Sequence, residues 1–562
     1  MIHSDHMTLG ALALKAAEVY KNKKAFAFLG ESGIYDLITY EQAGVKIRQL
    51  ASLLVQMGIV PGDRVMLLAE NRPEWPLAYF GTVLSGAIVV PILTDFIPEH
   101  IGTIAAHAEV SAIFTTEKHL SKLAKSDISD TIPIIRIDTM MSGENHITIS
   151  MHGNEKSLSL HEDNSFPEID ENQNASIIYT SGTSGNSKGV MLSHKNILSN
   201  ADASRCVVKI FPRDRMLSVI PLAHAYECTV GMVIGVMSGA GTTYLDRPPA
   251  PAVLVHAVQL IRPTIMLTVP LIIEKIYRLK IKAALESNPL YKFPLTRSLA
   301  IKVAGQKLLS SLGGAIRFFG IGGAALSPDV ETFLYKAEFP YAMGYGLTET
   351  APLLAGFSPF KGKLRSTGTA LTGISVRIMD TSGKIVGGVG SPKKGPRDQE
   401  GEIQAKGPNI MLGYYKDEER TKEAFTEDGW FKTGDLGIID KKGRISIKGR
   451  SKAMILGPSG ENIYPEEIEG ILNAHDIVED SLVYSDESGR LTALIVLSEK
   501  AKTMFAAFGD NLSELKKWTN KKLSTFAHIY TIRIQDEPFE KTATKKIKRF
   551  LYPKKETPEN AN

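Results

Sequence analysis

Cysteine is nearly absent from this sequence: Cys206 and Cys228 are the two among 562 residues. A disulfide framework is thereby excluded, and a reducing, cytoplasmic compartment fits. Neither belongs to a Cys-x-x-Cys pair or a Cys/His cluster, so both read as packing residues. A strong charge of one sign is also missing. Lys and Arg number 65 against 61 Asp and Glu, a net charge of +4, too small a basic excess for a general nucleic-acid binder. The most apolar stretch, residues 230–240, contains glycines and has about half the length of a bilayer span. The opening MIHSDHMTLG lacks the basic-then-apolar pattern of a secretory signal. An integral membrane protein is therefore not expected, and surface contact with a membrane stays open.

The length calls for two or more domains. Thr39-Tyr40-Glu41-Gln42 reads as a capping box, and Ile47, Leu50, Ala51 and Leu54 follow at helical spacing. Gly58 stops that helix and Pro61-Gly62 turns the chain. Residues 65–69 form a short apolar run suited to a strand buried on both faces. A second helix at 75–85 and a strand at 87–92 continue the alternation, so an α/β domain with a largely parallel sheet is expected. Residues 118–172 look polar and loop-rich, and 385–401 look like an exposed turn between strands at 376–379 and 402–405. From residue 451 the pattern becomes a small α+β unit. Its helix at 465–472 has Pro465 in the first turn and Glu466 and Glu467 at the positive end.

The segment Tyr179-Thr180-Ser181-Gly182-Thr183-Ser184-Gly185-Asn186-Ser187-Lys188-Gly189 packs three glycines, five Ser or Thr hydroxyls and one lysine into eleven positions. Glycines let backbone N–H groups approach an anion, hydroxyls add donors, and Lys188 adds a mobile charge. This reads as a polyphosphate-gripping loop, with a flexible linker as the plain alternative. It is not the P-loop of kinase-like NTPases, because Lys188 is flanked by Ser187 and Gly189.

The segment resembles the signature of the acyl-adenylate-forming superfamily: acyl-CoA synthetases, peptide-synthetase adenylation domains and beetle luciferases. Their pattern is YTSGTTGxPKGV; here Ser184 replaces the second Thr and Ser187 the Pro. The resemblance makes Thr180, Ser181, Gly182, Thr183, Ser184, Gly185 and Lys188 the phosphate grip. Gly322-Gly323-Ala324, otherwise a small-residue turn after a strand at 316–320, resembles the adenine-side turn. Tyr345-Gly346-Leu347-Thr348-Glu349-Thr350 resembles the YGxTE motif. It implies that Glu349 holds Mg2+, which prefers hard oxygen ligands, that Thr348 contacts phosphate and that Tyr345 stacks on adenine. Asp435, in Thr433-Gly434-Asp435, and Arg450, in Lys448-Gly449-Arg450, match the ribose contacts. Lys452 matches the hinge, and residues 457–469 the loop and helix that face coenzyme A.

Near the C-terminus, Lys541-Thr542-Ala543-Thr544-Lys545-Lys546-Ile547-Lys548-Arg549 resembles PxTxxGKIxR, with Lys546 as the adenylation lysine. Glu540 replaces the Pro and Lys545 the Gly. Without the family, the same run reads as a basic tail able to touch acidic lipid.

The resemblance implies an α/β fold with a large, multi-subdomain N-terminal adenylation domain (1–450) and a small mobile α+β C-terminal domain (451–562). It implies ATP, Mg2+ and coenzyme A as cofactors, and ligation of an acid through an acyl-AMP. Pro221-Leu222-Ala223-His224-Ala225-Tyr226-Glu227 resembles the PLAHxxE segment of long-chain fatty acyl-CoA synthetases. It places His224 near an acyl pocket, a packed histidine being the alternative. Val230, Met232, Val233, Ile234 and Val236 are either core or the lining of an alkyl tunnel. No residue stands out as the partner of a substrate amine, so a fatty acid is the expected substrate, most naturally a long-chain one. Two other readings stay open: an acyl-acyl carrier protein synthetase, sharing every adenylation motif, and an inactive adenylate- or acyl-binding protein, suggested by Lys545 and Glu540. The expected location is the cytoplasm, with peripheral contact at the inner face of the membrane open.

Overall fold

The structure is a computed structural model. It describes residues 2–4, 6–31, 33–140, 146–151, 154–162, 165–181, 187–247, 249–389, 398–456, 462–486, 489–499, 501–502, 512–541 and 547–552.

Thr39 caps the helix Tyr40–Gln56: its side chain accepts from the Gln42 N–H, and Gln42 Oε1 accepts from the Thr39 N–H at 2.9 Å. The next strand, Arg64–Leu68, lies between two parallel neighbours, Ile88–Pro91 and Val110–Thr115. Its side chains alternate between two cores: Val65 and Leu67 enter the main one, Met66 and Leu68 a second one on the opposite face. That two-sided burial explains the continuous apolar run.

The described residues form two large sheets, of nine and fourteen strands. The nine-stranded sheet has a parallel centre and antiparallel edges, one of them the hairpin Asn174–Ser181 with Ser187–Ser193. In the fourteen-stranded sheet, parallel strands that include Ile265–Thr268, Phe318–Ile321 and Tyr341–Gly346 continue into an antiparallel half. The antiparallel half holds Phe431–Ile439 and Arg444–Arg450. The smaller C-terminal part packs the helix Pro465–Leu472 on a three-stranded sheet, with its own core of Ile468, Leu472, Val483, Ile495 and Leu515.

Three expectations need correction. Residues 118–172 are not simply loop. They include the helix Glu117–Leu123 and the strands Ile134–Arg136, His146–Met151 and Asn154–Ser159. The last strand is exposed at every position, so it leaves no apolar periodicity to read. Residues 385–389 are a strand with Val386 buried, and 390–397 lie outside the described residues. Cys206 is exposed, whereas Cys228 is buried as a packing residue.

Candidate active site

The strands flanking residues 182–186 place Ser181 opposite Ser187 and Thr180 opposite Lys188. Gly182, Thr183, Ser184 and Gly185 lie outside the described residues. On its other edge, Ser187–Ser193 pairs with the two-residue strand Gly413–Tyr414. This pairing brings Tyr414 under Lys188, whose Nζ lies 4.8 Å from the ring centroid. The Tyr414 hydroxyl donates to Glu349 Oε1 at 3.1 Å. A cation, a phenol and a carboxylate from three distant segments thus stand in one row.

Glu349 sits on a single 3-10 turn, Thr348–Thr350, at the end of the strand Tyr341–Gly346. Two fully buried asparagines hold this turn. Asn409 Nδ2 donates to the Thr350 carbonyl at 2.7 Å, and Asn200 Nδ2 to the Leu353 carbonyl at 2.6 Å. Thr348 and Glu349 keep partial exposure. At Gly346 a Cβ would lie 1.8 Å from the Pro352 carbonyl oxygen, so the close approach needs glycine.

Asp435 and Arg450 are direct cross-strand partners, joined by Arg450 Nε to Asp435 Oδ1 at 2.8 Å. The buried Tyr345 hydroxyl donates to Asp435 Oδ2 at 2.7 Å. Burial, then the Asp435 charge, push the Tyr345 phenol well above its usual range. Burial pulls the Arg450 guanidinium down, but Asp435, Tyr345 and Glu349 together hold it more firmly protonated.

His224 precedes a π-helix, Glu227–Val233, that continues as the α-helix Ile234–Ser238. It is half-buried, and its Nδ1 accepts from the Tyr226 N–H at 3.2 Å. Tyr226 packs so closely on Gly320 and Gly322 that a Cβ there would meet its hydroxyl at 2.8 Å and its ring at 3.1 Å. Beside it lies a cavity of about 20 Å³, bordered by Val207, Val208, Tyr226, Val230, Ala342 and Leu353 among others, with no charged side chain in its wall. Met232, Val233, Ile234 and Val236 pack in the main core instead.

Residues 14–415 match the family described as AMP-binding enzyme. The chain belongs to the AMP-binding enzyme family. Long chain acyl-CoA synthetase 7, peroxisomal, of Arabidopsis thaliana is 30% identical over 90% of this chain and 75% of its own length. Long-chain-fatty-acid–CoA ligase FadD15 of Mycobacterium bovis is 27% identical over 92% and 90%. Among solved structures, o-succinylbenzoate CoA synthetase of Bacillus subtilis with its acyl-adenylate OSB-AMP aligns with a TM-score of 0.75 at 22% identity, covering 97% of this chain and 98% of that one. Within the AMP-binding enzymes, the chain is a member of the acyl-adenylate-forming, acid–CoA ligase group.

Of the residues that AMP-binding motifs singled out, Lys188 and Glu349 meet through Tyr414, and Tyr345, Asp435 and Arg450 meet directly. Gly323 and Ala324 form an exposed turn after Phe318–Ile321. Lys452 is exposed on the turn Ser451–Ala453. Lys546 and residues 457–461 lie outside the described residues. Among the described residues no group of three or more His, Cys, Asp or Glu side chains is set to hold a metal. A single partly exposed carboxylate beside a hydroxyl, as at Glu349 and Thr348, fits Mg2+, which keeps waters and takes phosphate oxygens. Sequence reasoning missed Tyr414. Its only local mark is a Gly-Tyr-Tyr triplet, and its place depends on strand pairing across more than two hundred residues.

The sequence marks Glu227 only as the last residue of the PLAHxxE segment, with no sign of its burial. This carboxyl is buried, its Oε2 has no hydrogen-bond partner among the described residues, and burial, opposed by a hydrogen bond from Ser218, pushes it up to about 8. The folded chain therefore holds a proton that the unfolded chain releases near the ordinary value of 4.5. This contribution to stability is full below that value and fades as pH rises towards 8. Stability is expected to fall from about pH 5 to about pH 8, by up to ~1.4 kcal/mol per pH unit from this group, and Glu227→Gln should remove that slope. Urea midpoints of both proteins across this range check it; parallel curves would refute it.

Proposed function

We propose that this chain joins a fatty acid, long-chain in preference, to coenzyme A through an acyl-AMP, releasing AMP and pyrophosphate. The choice of acid is carried by the PLAHxxE resemblance at Pro221–Glu227, and the uncharged cavity beside Tyr226 and the strand Tyr341–Gly346 is compatible with it. Were this seam to widen, an alkyl chain entering it would desolvate no charge in the cavity wall and gain about 0.8 kcal/mol per buried CH₂. At about 20 Å³ the cavity holds roughly one water, so binding an acid requires this seam to open. The names of the Arabidopsis and mycobacterial relatives support the same choice.

The first step brings two anions together: the acid's carboxylate attacks the α-phosphorus of ATP and pyrophosphate leaves. The protein's work is positioning and charge neutralisation. Lys188 and the hydroxyls and backbone of 180–185 grip the polyphosphate, Tyr345 lies against adenine, and Asp435 and Arg450 orient the ribose. Glu349 with Thr348 would hold Mg2+, which supplies positive charge to the phosphates. Lys546 completes the neutralisation. In the second step the 451–562 unit turns about Lys452, and His224 lines the approach to the acyl carbonyl. The coenzyme A thiol attacks the acyl carbon, its proton passes to solvent, and the bond to AMP breaks. The cytoplasm is the proposed compartment.

ATP–pyrophosphate exchange with straight-chain acids of about four to eighteen carbons, followed by addition of coenzyme A, tests the reading. Exchange lost in Lys546→Ala and acyl-CoA formed by the parent are the expected results. Exchange without acyl-CoA would move the acceptor to a carrier protein, and no exchange would favour a binding protein. Val230→Phe should lower activity on the longest acids by about tenfold while sparing short ones; a uniform loss would make Val230 a packing residue only.

A further inference from the structure

Residues 270–311 carry the two most exposed large apolar side chains among the described residues, Leu295 at 99% and Leu279 at 80%. In the same segment Phe293 and Leu299 are exposed at 65% and 57%. The helix Pro294–Ser311 explains the pattern. Ala300, Ile301, Gly305 and Leu308 face inward, and the outward face, at spacings of four and eight, presents Leu295, Leu299 and Val303. A surface helix ordinarily turns a polar face to solvent. This one sets a row of exposed apolar side chains among the exposed polar residues Arg297, Ser298, Lys302, Gln306 and Lys307.

Charge surrounds the outward row. The segment has eight basic and two acidic residues, a net of +6, which exceeds the +4 of the whole chain. Lys275, Lys280, Lys292 and Lys307 are exposed and make no ion pair among the described residues. Lysine with leucine is the wrong composition for a protein interface, where lysine is depleted and Arg and aromatics are enriched. It is the composition of a surface that lies on a bilayer, with apolar side chains in the acyl boundary and mobile cations on anionic headgroups. Among the described residues no helix is long and apolar enough to cross a membrane, so such contact would be peripheral.

We propose that residues 270–311 form a docking surface for a bilayer containing anionic lipid, with Phe293, Leu295 and Leu299 entering the acyl boundary and the lysines meeting the headgroup phosphates. This surface is distinct from the residues assigned to nucleotide and acid, and the proposal does not depend on which acid is used.

Flotation of the full-length protein with vesicles of phosphatidylcholine, alone or with about one third phosphatidylglycerol, tests it. Binding is expected on the mixed vesicles, weakened by salt, and poor on phosphatidylcholine alone. Leu295→Asp with Leu299→Asp should lower the partition coefficient by about tenfold or more, with the thermal midpoint unchanged as proof of folding. Lys275→Glu with Lys292→Glu should abolish the preference for anionic vesicles. Flotation of the double-Asp variant equal to the parent would overturn the proposal, as would a parent that ignores lipid charge. A parent that dimerises without floating, and that the double-Asp variant turns into a monomer, would also overturn it and assign the face to a second copy.

Discussion

Glu349→Gln should lower acid-dependent ATP–pyrophosphate exchange by about 10²-fold or more and leave thermal stability nearly unchanged. The amide keeps the shape of the carboxylate, and its oxygen can still accept from the Tyr414 hydroxyl, which lies 3.1 Å from Glu349 Oε1. Only the charge is lost. If the carboxylate served merely to seat Tyr414 beneath Lys188, glutamine would serve as well, and Tyr414→Phe would be the damaging change. If it holds Mg2+, Tyr414→Phe removes one hydrogen bond and should cost less than about tenfold. Half-saturation by Mg2+, measured in the exchange assay, separates these cases. It should rise sharply in Glu349→Gln and little in Tyr414→Phe. Equal shifts in both variants would show that the carboxylate works through the phenol.

Gly346→Ala should be the most damaging single methyl group near the site. The added carbon would stand 1.8 Å from the Pro352 carbonyl oxygen and 2.9 Å from the Leu353 Cα. Both obstacles are backbone, so no rotamer change relieves them. The Pro352 carbonyl also accepts from the Leu347 N–H at 3.0 Å and from the Thr350 hydroxyl. The turn carrying Thr348 and Glu349 must therefore move with it. Overpacking of this kind costs about 1–3 kcal/mol, and a displacement of about 1 Å at a reacting centre can cost about 10²-fold in rate. The loss should appear in kcat more than in KM for ATP. Gly470→Ala is the control. Gly470 lies in the helix Pro465–Leu472 with nothing within 4 Å of a Cβ, so this variant should keep full activity and gain up to about 1 kcal/mol in stability. Activity of Gly346→Ala within a few-fold of the parent would mean that the turn is free to shift.

What could be read from the chain alone follows the distance over which each signal acts. The cap at Thr39 and the helix at 465–472 rest on neighbours within a turn or two, and both stand where local chemistry puts them. Asp435 and Arg450 were legible as motif residues, but their direct pairing is a matter of strand register. Tyr414 reaches Lys188 through pairing between remote strands. The π-helix Glu227–Val233 shifts the hydrogen-bond period away from the spacing on which pattern reading relies. Asn154–Ser159 is a strand held by backbone bonds, and its polar side chains say nothing of it. Buried polar anchors such as Asn200 and Asn409 look like any surface asparagine until the fold closes around them.

The leucine row of the helix Pro294–Ser311 is also expected to influence how the purified protein behaves in concentrated solution. Copies approaching through this face meet lysines that repel and leucines that adhere. Raising ionic strength shortens the reach of the repulsion from about 10 Å at 0.1 M salt to about 3 Å at 1 M, while apolar attraction is untouched. High salt, the ordinary remedy for a sticky basic surface, thus weakens the repulsion this face supplies. The chain should then behave as a colloid stabilised by local charge, and dilute buffer is expected to keep it dispersed best.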